Sequence, residues 1–238
     1  LALPMPPAEF LLELAARLGT AGRRPRWIAR CREREITRQE EIQRQVKASG
    51  PLVDPLYFCQ RLDARLAPDA VLVADGGDFV ATAAYVLRPR RPRSWLDPGV
   101  FGTLGVGGGF AVGAAVVRPG AEVWLLYGDG ACAYSLAEFD TFVRHGLAPI
   151  AVIGNDAAWT QIGRDQTTYL GSPVGTTLRR TAYHEVAAGY GGVGLLLDDP
   201  AQVDAVLEHA RALSRAGRPV CINVHLAKAD FRRGSISI

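Results

Sequence analysis

The sequence predicts a doubly wound α/β domain, an about six-stranded parallel sheet with helices on both faces. Three observations carry that reading. Strand-length segments that are apolar throughout alternate with helical segments, the pattern of a parallel sheet covered on both sides. Three of these strands run into short polar or glycine-rich turns, Asp75-Gly76-Gly77, Gly128-Asp129-Gly130 and Gly154-Asn155-Asp156. In such sheets ligands sit at those carboxyl ends. Finally, the chain has 238 residues, 48% hydrophobic and 21% charged, enough for a core without staples and too apolar for disorder.

The elements follow in order. Ala8–Gly19 is a short amphipathic helix, with Phe10, Leu11, Leu14, Ala15 and Leu18 on one stripe,. Gly22–Pro25 breaks the chain, and Trp27–Lys47 is a long charged helix with few apolar positions. Ser49-Gly50-Pro51 marks a boundary,. Residues 1–50 therefore read as the tail of a preceding domain plus a linker helix, and 51–238 as the main domain. Within the latter, helices are predicted at Asp54–Leu66, Phe79–Leu87, Gly105–Val117, Ser135–Gly146, Tyr183–Gly189 and Ala201–Ala216. Strands are predicted at Ala70–Ala74, Glu122–Tyr127, Pro149–Ile153, Val193–Leu197 and Pro219–Val224.

Composition narrows the function classes. No apolar run reaches the length of a bilayer span. Cys31, Cys59, Cys132 and Cys221 lie far apart without zinc or CxxC spacing, which points to reduced thiols,. A net charge of +3 is too mild for nucleic-acid binding,. The charge is uneven: ten Arg/Lys against four Glu between Arg17 and Lys47 give +6, leaving −3 elsewhere.

The informative segment is Gly128-Asp129-Gly130, then 24 residues, then Asn155-Asp156. Asp129 follows one strand and Asn155 the next, with one helix between, the length of a βαβ crossover. If the strands are neighbours, the two side chains converge. One carboxylate and one amide oxygen without Cys or His suit a hard cation such as Mg2+, which keeps phosphate oxygens among its ligands. Glycines beside Asp129 admit an anion to the backbone, and helix Ser135–Gly146 adds its positive end. The residues predict a metal-bridged diphosphate.

This arrangement resembles the Gly-Asp-Gly…Asn-Asn signature of the thiamine diphosphate-dependent enzymes, over about residues 52–225. Phe101-Gly102-Thr103-Leu104-Gly105 is similar to the segment that holds the aminopyrimidine in the acetolactate synthase group, and the Phe231–Ser237 ending also fits this resemblance. The resemblance implies thiamine diphosphate and Mg2+ as cofactors. Asp129, the Asn155 side chain and the Ala157 backbone carbonyl would ligate the metal. The amides of Gly130 and Ala131 would hold phosphate, with Asp75, Gly76, Gly77 and Asp78 contacting the diphosphate from a separate strand end. The Gly102 carbonyl would accept from the pyrimidine amino group, and Leu104 would bend the cofactor. Ala158, Trp159 and Thr160 would follow along the cofactor and substrate path, with Gln161 a substrate contact. Two departures stand out. Gly154 replaces the first Asn, and Gln161 stands where simple 2-oxo acid decarboxylases carry a Glu. A neutral amide cannot donate a proton as an acid does, so carbon–carbon cleavage or ligation is the better reading.

The activity implied is cleavage of 2-hydroxyacyl-CoA to a shortened aldehyde and formyl-CoA. The alternatives are acetolactate synthesis from 2-oxo acids, or a silent homologue acting as an assembly subunit. The family's pyrimidine-contacting glutamate comes from another domain on a partner subunit. The chain is therefore expected to be a C-terminal piece, inactive alone, of a homodimer or homotetramer with the site between subunits. FAD in a middle domain and an endoplasmic reticulum membrane location belong to the same expectation; no nucleic-acid or membrane contact is expected from this segment.

Other motifs read as structure. Gly189–Gly194 matches GxGxxG, but follows a helix and precedes a strand, the reverse of a dinucleotide site,. Arg88, Arg90, Arg91 and Arg93 form a basic loop that reads as solvated, with CoA phosphates the alternative,. Single histidines His145 and His184 read as structural.

Overall fold

The computed structural model describes residues 4–18 and 24–233. Gly19, residues 22–23 of the expected break and residues 234–237 of the expected ending lie outside this range. Two units are distinguished, Leu1–Arg44 and Gln45–Ile238. The first carries two helices, α1 (Pro7–Leu18) and α2 (Pro25–Gln45). Helix α1 has no buried residue, and its apolar stripe, including Leu11, Leu14 and Leu18, is exposed.

The second unit holds an all-parallel six-stranded sheet: β1 (Val71–Ala74), β2 (Trp95–Leu96), β3 (Val123–Gly128), β4 (Ile150–Asn155), β5 (Val193–Leu197) and β6 (Val220–His225). The strand order is β2-β1-β3-β4-β6-β5, and every pairing is parallel. Every residue of β1, β3 and β4 is buried, which explains their unbroken apolar sequences. Strand β2 was not predicted. It is two half-buried residues at the sheet edge.

Helices flank the sheet. Val71, Val73, Val123, Leu125, Tyr127, Ala151, Ile153 and Cys221 form one core cluster with Ala111 and Ala114 of α5 (Gly107–Val117), Phe139 and Phe142 of α7 (Glu138–Arg144) and Ala187 of α9 (Tyr183–Gly189). The alternate strand residues, among them Leu72, Trp124, Leu126 and Val152, point to the other face,. There α3 (Pro55–Asp63), α4 (Asp78–Val86) and α10 (Val203–Arg215) pack. Helix α3 starts where Asp54 caps it, its carboxylate accepting from the Tyr57 amide at 2.9 Å with Pro55 following,.

Two stretches differ from the sequence reading. Ser135–Gly146 is not one helix: a four-residue turn, α6 (Asp129–Cys132), begins at the motif itself, and α7 starts later, at Glu138. The positive end next to Asp129 therefore belongs to α6. Second, α8 (Thr160–Leu170) occupies a stretch with no predicted element; none of its residues is buried, so no apolar period betrays it,. The free thiols of Cys59, Cys132 and Cys221 are buried and that of Cys31 is exposed. Among the described residues no helix is long and apolar enough to cross a membrane.

Candidate active site at the strand ends

From β1 the chain runs outward to β2, then returns to place β3 on the other side of β1. That reversal opens a crevice beyond the strand ends. At its floor β1 and β3 meet closely. Gly77 has φ +115°, and a Cβ on it would lie 2.9 Å from the Gly128 Cα, so neither position has room for a side chain. Gly128 donates to the Gly76 carbonyl at 2.8 Å.

Strands β3 and β4 are adjacent, with Gly128 opposite Gly154. This sets Asp129 and Asn155 side by side, as the spacing predicts. Asp129 is buried. Its carboxylate accepts from the Gly130 amide at 2.8 Å and the Ala158 amide at 3.2 Å. Burial, with the Asp156 carboxylate adding to it, pushes its pKa up to about 6. No side-chain cation pairs with Asp129 among the described residues.

Asn155 is completely buried. Its Nδ2 donates to the Thr181 carbonyl at 3.2 Å and to Asn223 Oδ1 at 3.1 Å. Its Oδ1 has no hydrogen-bond partner. A buried acceptor left in that state costs roughly 1–3 kcal/mol, and sits naturally where an ion completes it. A buried carboxylate without a cation and an orphaned amide oxygen at adjacent strand ends fit a hard divalent metal. Among the described residues no three His, Cys, Asp or Glu form a metal cluster; the oxygens these two strand ends offer are those of a carboxylate, an amide and the backbone.

The loop after Asn155 carries the remaining expected residues. Ala157 has φ +60°, a left-handed conformation rare for a residue with a side chain,. Its carbonyl accepts from the Leu178 amide at 2.9 Å, leaving one lone pair. The Trp159 ring lies against Gly130: a Cβ there would meet three ring carbons at 2.5–2.6 Å. Thr160 donates to Asp156. Gln161 lies in the first turn of α8. Phe79 packs against Gly154, its Cγ 2.2 Å from where a Cβ would stand. The missing first Asn thus leaves space that the phenyl ring fills.

On the β1 side, the Leu104 side chain packs on Gly76, with Cδ2 2.2 Å from a Cβ position there. Gly102, exposed and at φ +57°, ends a 3-10 turn over Gly99–Phe101. Asp75 was expected at the diphosphate; its oxygens accept from the Gly105 amide at 2.9 Å and the Gly107 amide at 2.6 Å. Burial raises its pKa. Asp78 pairs in two-point fashion with Arg164 of α8 at 3.1 and 3.2 Å. The Gly130 amide is likewise engaged by Asp129.

The structure thus brings together Asp129, Gly130, Ala131, Asn155 and the Ala157–Thr160 loop, with Gly76, Gly77 and Leu104 at the neighbouring strand end. Asp75 and Asp78 lie beside them with carboxylates turned to protein partners. The basic loop lies elsewhere. It precedes β2 and so sits at the amino ends of the strands; there Arg90 binds Asp63 and the Arg93 carbonyl accepts from Arg118. Sequence reasoning missed Asn223, Thr181 and Arg180. Arg180 holds the carbonyls of Asn155 at 2.5 Å and Leu226 at 2.9 Å. Asn223 was visible as a lone polar residue in the apolar run Val220–Val224, and that was the available signal.

Comparison with known proteins agrees with this fold. Residues 75–224 match the C-terminal TPP binding domain of thiamine pyrophosphate enzymes, and the chain belongs to that family. It is 48% identical over 235 residues to 2-hydroxyacyl-CoA lyase 2 of Homo sapiens, covering 97% of this chain and 37% of that protein. With the Danio rerio protein of the same name it shares 53% over 188 residues, 78% of this chain and 30% of that one. A probable acetolactate synthase of Mycobacterium bovis is 40% identical over 171 residues, 71% of this chain and 31% of that one. The chain therefore spans between 30% and 37% of these relatives' lengths. The fold is shared with the Rhodococcus jostii RHA1 thiamine diphosphate-dependent 4-hydroxybenzoylformate decarboxylase, with TM-score 0.69 and 22% identity over 78% of this chain and 34% of that one.

Proposed function

We infer that the protein is a thiamine diphosphate- and Mg2+-dependent carbon–carbon lyase that cleaves a 2-hydroxyacyl-CoA to a shortened aldehyde and formyl-CoA. The observation that carries the site is the orphaned, buried Asn155 Oδ1 beside the uncompensated Asp129 carboxylate. The substrate reading is supported by the likeness to proteins named 2-hydroxyacyl-CoA lyase 2 over nearly the whole chain.

When bound, thiamine diphosphate supplies the nucleophilic carbon and the electron sink that carbon–carbon cleavage requires. The protein's part is placement. Asp129, Asn155 and the Ala157 carbonyl would hold the cation; the Ala131 amide would be offered to the phosphates, while the Gly130 amide already donates to Asp129. Leu104, braced on Gly76, presses an apolar surface toward the crevice. Gln161 is uncharged, so it orients a substrate oxygen by hydrogen bonding without supplying an acidic proton. Val100 and Phe101, next to Gly102, are 96% and 88% exposed. Such apolar exposure at the rim supports a site completed by a second subunit.

The test is to incubate the native protein with thiamine diphosphate, Mg2+ and a 2-hydroxyacyl-CoA and follow formyl-CoA by chromatography. Formation that stops on chelation is the expected result. Acetolactate from pyruvate, with no formyl-CoA, would favour the synthase reading that the Mycobacterium bovis relative represents. Neither product would leave a silent assembly subunit.

A further inference from the structure

We propose that Asn223 is a positioning residue that locks the Asn155 amide with its oxygen toward the cation site. This rests on the metal–diphosphate reading above. Thr181 O, a carbonyl, only accepts. Both Asn155 Nδ2 and Asn223 Nδ2 donate to it, at 3.2 and 3.0 Å. Turning either amide over would set oxygen against oxygen, so the shared carbonyl determines both orientations. Asn223 Oδ1 then accepts the second Asn155 proton at 3.1 Å, and Asn223 Nδ2 also has His184 Nδ1 at 3.2 Å. With both its protons assigned, Asn155 can present only Oδ1 to the crevice, and that atom alone in the pair of amides lacks a partner.

Strand geometry permits this arrangement. Ile153 of β4 is paired with Asn223 of β6. Side chains alternate, so Asn155 and Asn223 face α9 together while Ile222 faces the opposite side. Asn223 acts twice: it accepts from Asn155, and it ties down the Thr181 carbonyl on which Asn155 also depends. A fully buried asparagine in an apolar strand is costly unless so used,. Partners that orient a metal ligand in this way change metal affinity when removed.

The test titrates Mg2+ by calorimetry into the native protein with saturating thiamine diphosphate, alongside urea unfolding without cation. Asn223→Leu removes both contacts at similar volume and should raise the Mg2+ dissociation constant roughly 10–100-fold. Asn223→Ala gives the same rise and serves if the leucine variant does not fold. Asn223→Asp keeps an oxygen for the Asn155 amide but sets a carboxyl against Thr181 O. It should therefore lose less affinity than the leucine and alanine variants while destabilising the cation-free fold more. Ile222→Ala should weaken the fold and leave Mg2+ affinity alone. Mg2+ binding unchanged within about threefold in the leucine and alanine variants, where removal of such a partner should cost roughly 10-fold or more, would overturn the proposal. So would affinities that simply follow stability across all four variants. If the unaltered protein takes up no Mg2+ with thiamine diphosphate, the metal site itself fails, and the role of Asn223 with it.

Discussion

Asp129 carries the sharpest consequence of a single residue's surroundings. Its pKa stands at about 6 without a cation because burial, and then Asp156, disfavour the charge. The folded chain therefore binds a proton that the unfolded chain has already released, between about pH 4 and pH 6. The stabilisation from this group is complete below about pH 4 and is lost as pH rises through about 6. The loss amounts to about 2–3 kcal/mol for a shift of this size. Urea unfolding without Mg2+ should show the native protein losing stability from about pH 4 to about pH 6, and Asp129→Asn losing far less. Mg2+ should restore the native protein and do little for the variant. Identical pH profiles for both would refute the assignment. Asp129 and Asn155 were legible as residues because their spacing encodes two adjacent strand ends. Asn223 showed only as a polar residue in an apolar strand; its role did not show, because it depends on a partner 68 residues away in sequence.

Among the elements, Asp75 shows how a strand end organises the helix beside it. Its two oxygens take the Gly105 and Gly107 amides, tying the end of β1 to the start of α5 and to the segment that carries Leu104. Asp75→Ala leaves two amides without their acceptor and should cost about 2–5 kcal/mol in urea unfolding. Asp75→Asn retains one acceptor and should cost less. No loss in the alanine variant would show the anchoring to be idle. The elements missed in the sequence share a physical trait. Helix α8 buries nothing, and Gly163 and three threonines weaken its helical signal,. Strand β2 is too short to show a period. Conversely, Ser135–Gly146 reads as a single helix because Leu136, Phe139 and Phe142 are all buried core positions, yet the chain is still turning at Leu136 and α7 begins only at Glu138.

For the whole molecule, stability resides in the sheet's two covered faces rather than in its surface charges. Phe139 is 1% exposed, with its ring 5.3 Å from that of Phe142 and pressed against Gly192. Phe139→Ala should cost about 3–5 kcal/mol. Asp204→Ala, which breaks the exposed contacts to Arg61 and Arg65, should cost about 1 kcal/mol or less. Comparable losses in denaturant unfolding would contradict this division. The sequence by itself determined the alternation of elements, the parallel sheet and the Asp129–Asn155 pair, because each is written in local periodicity or in the length of one crossover. Only the tertiary structure decided the order β2-β1-β3-β4-β6-β5 and the Asn155–Asn223–Thr181 contact. It also turned Asp75 to the amides of Gly105 and Gly107. Those depend on which distant segments meet, and no local pattern of side chains specifies that.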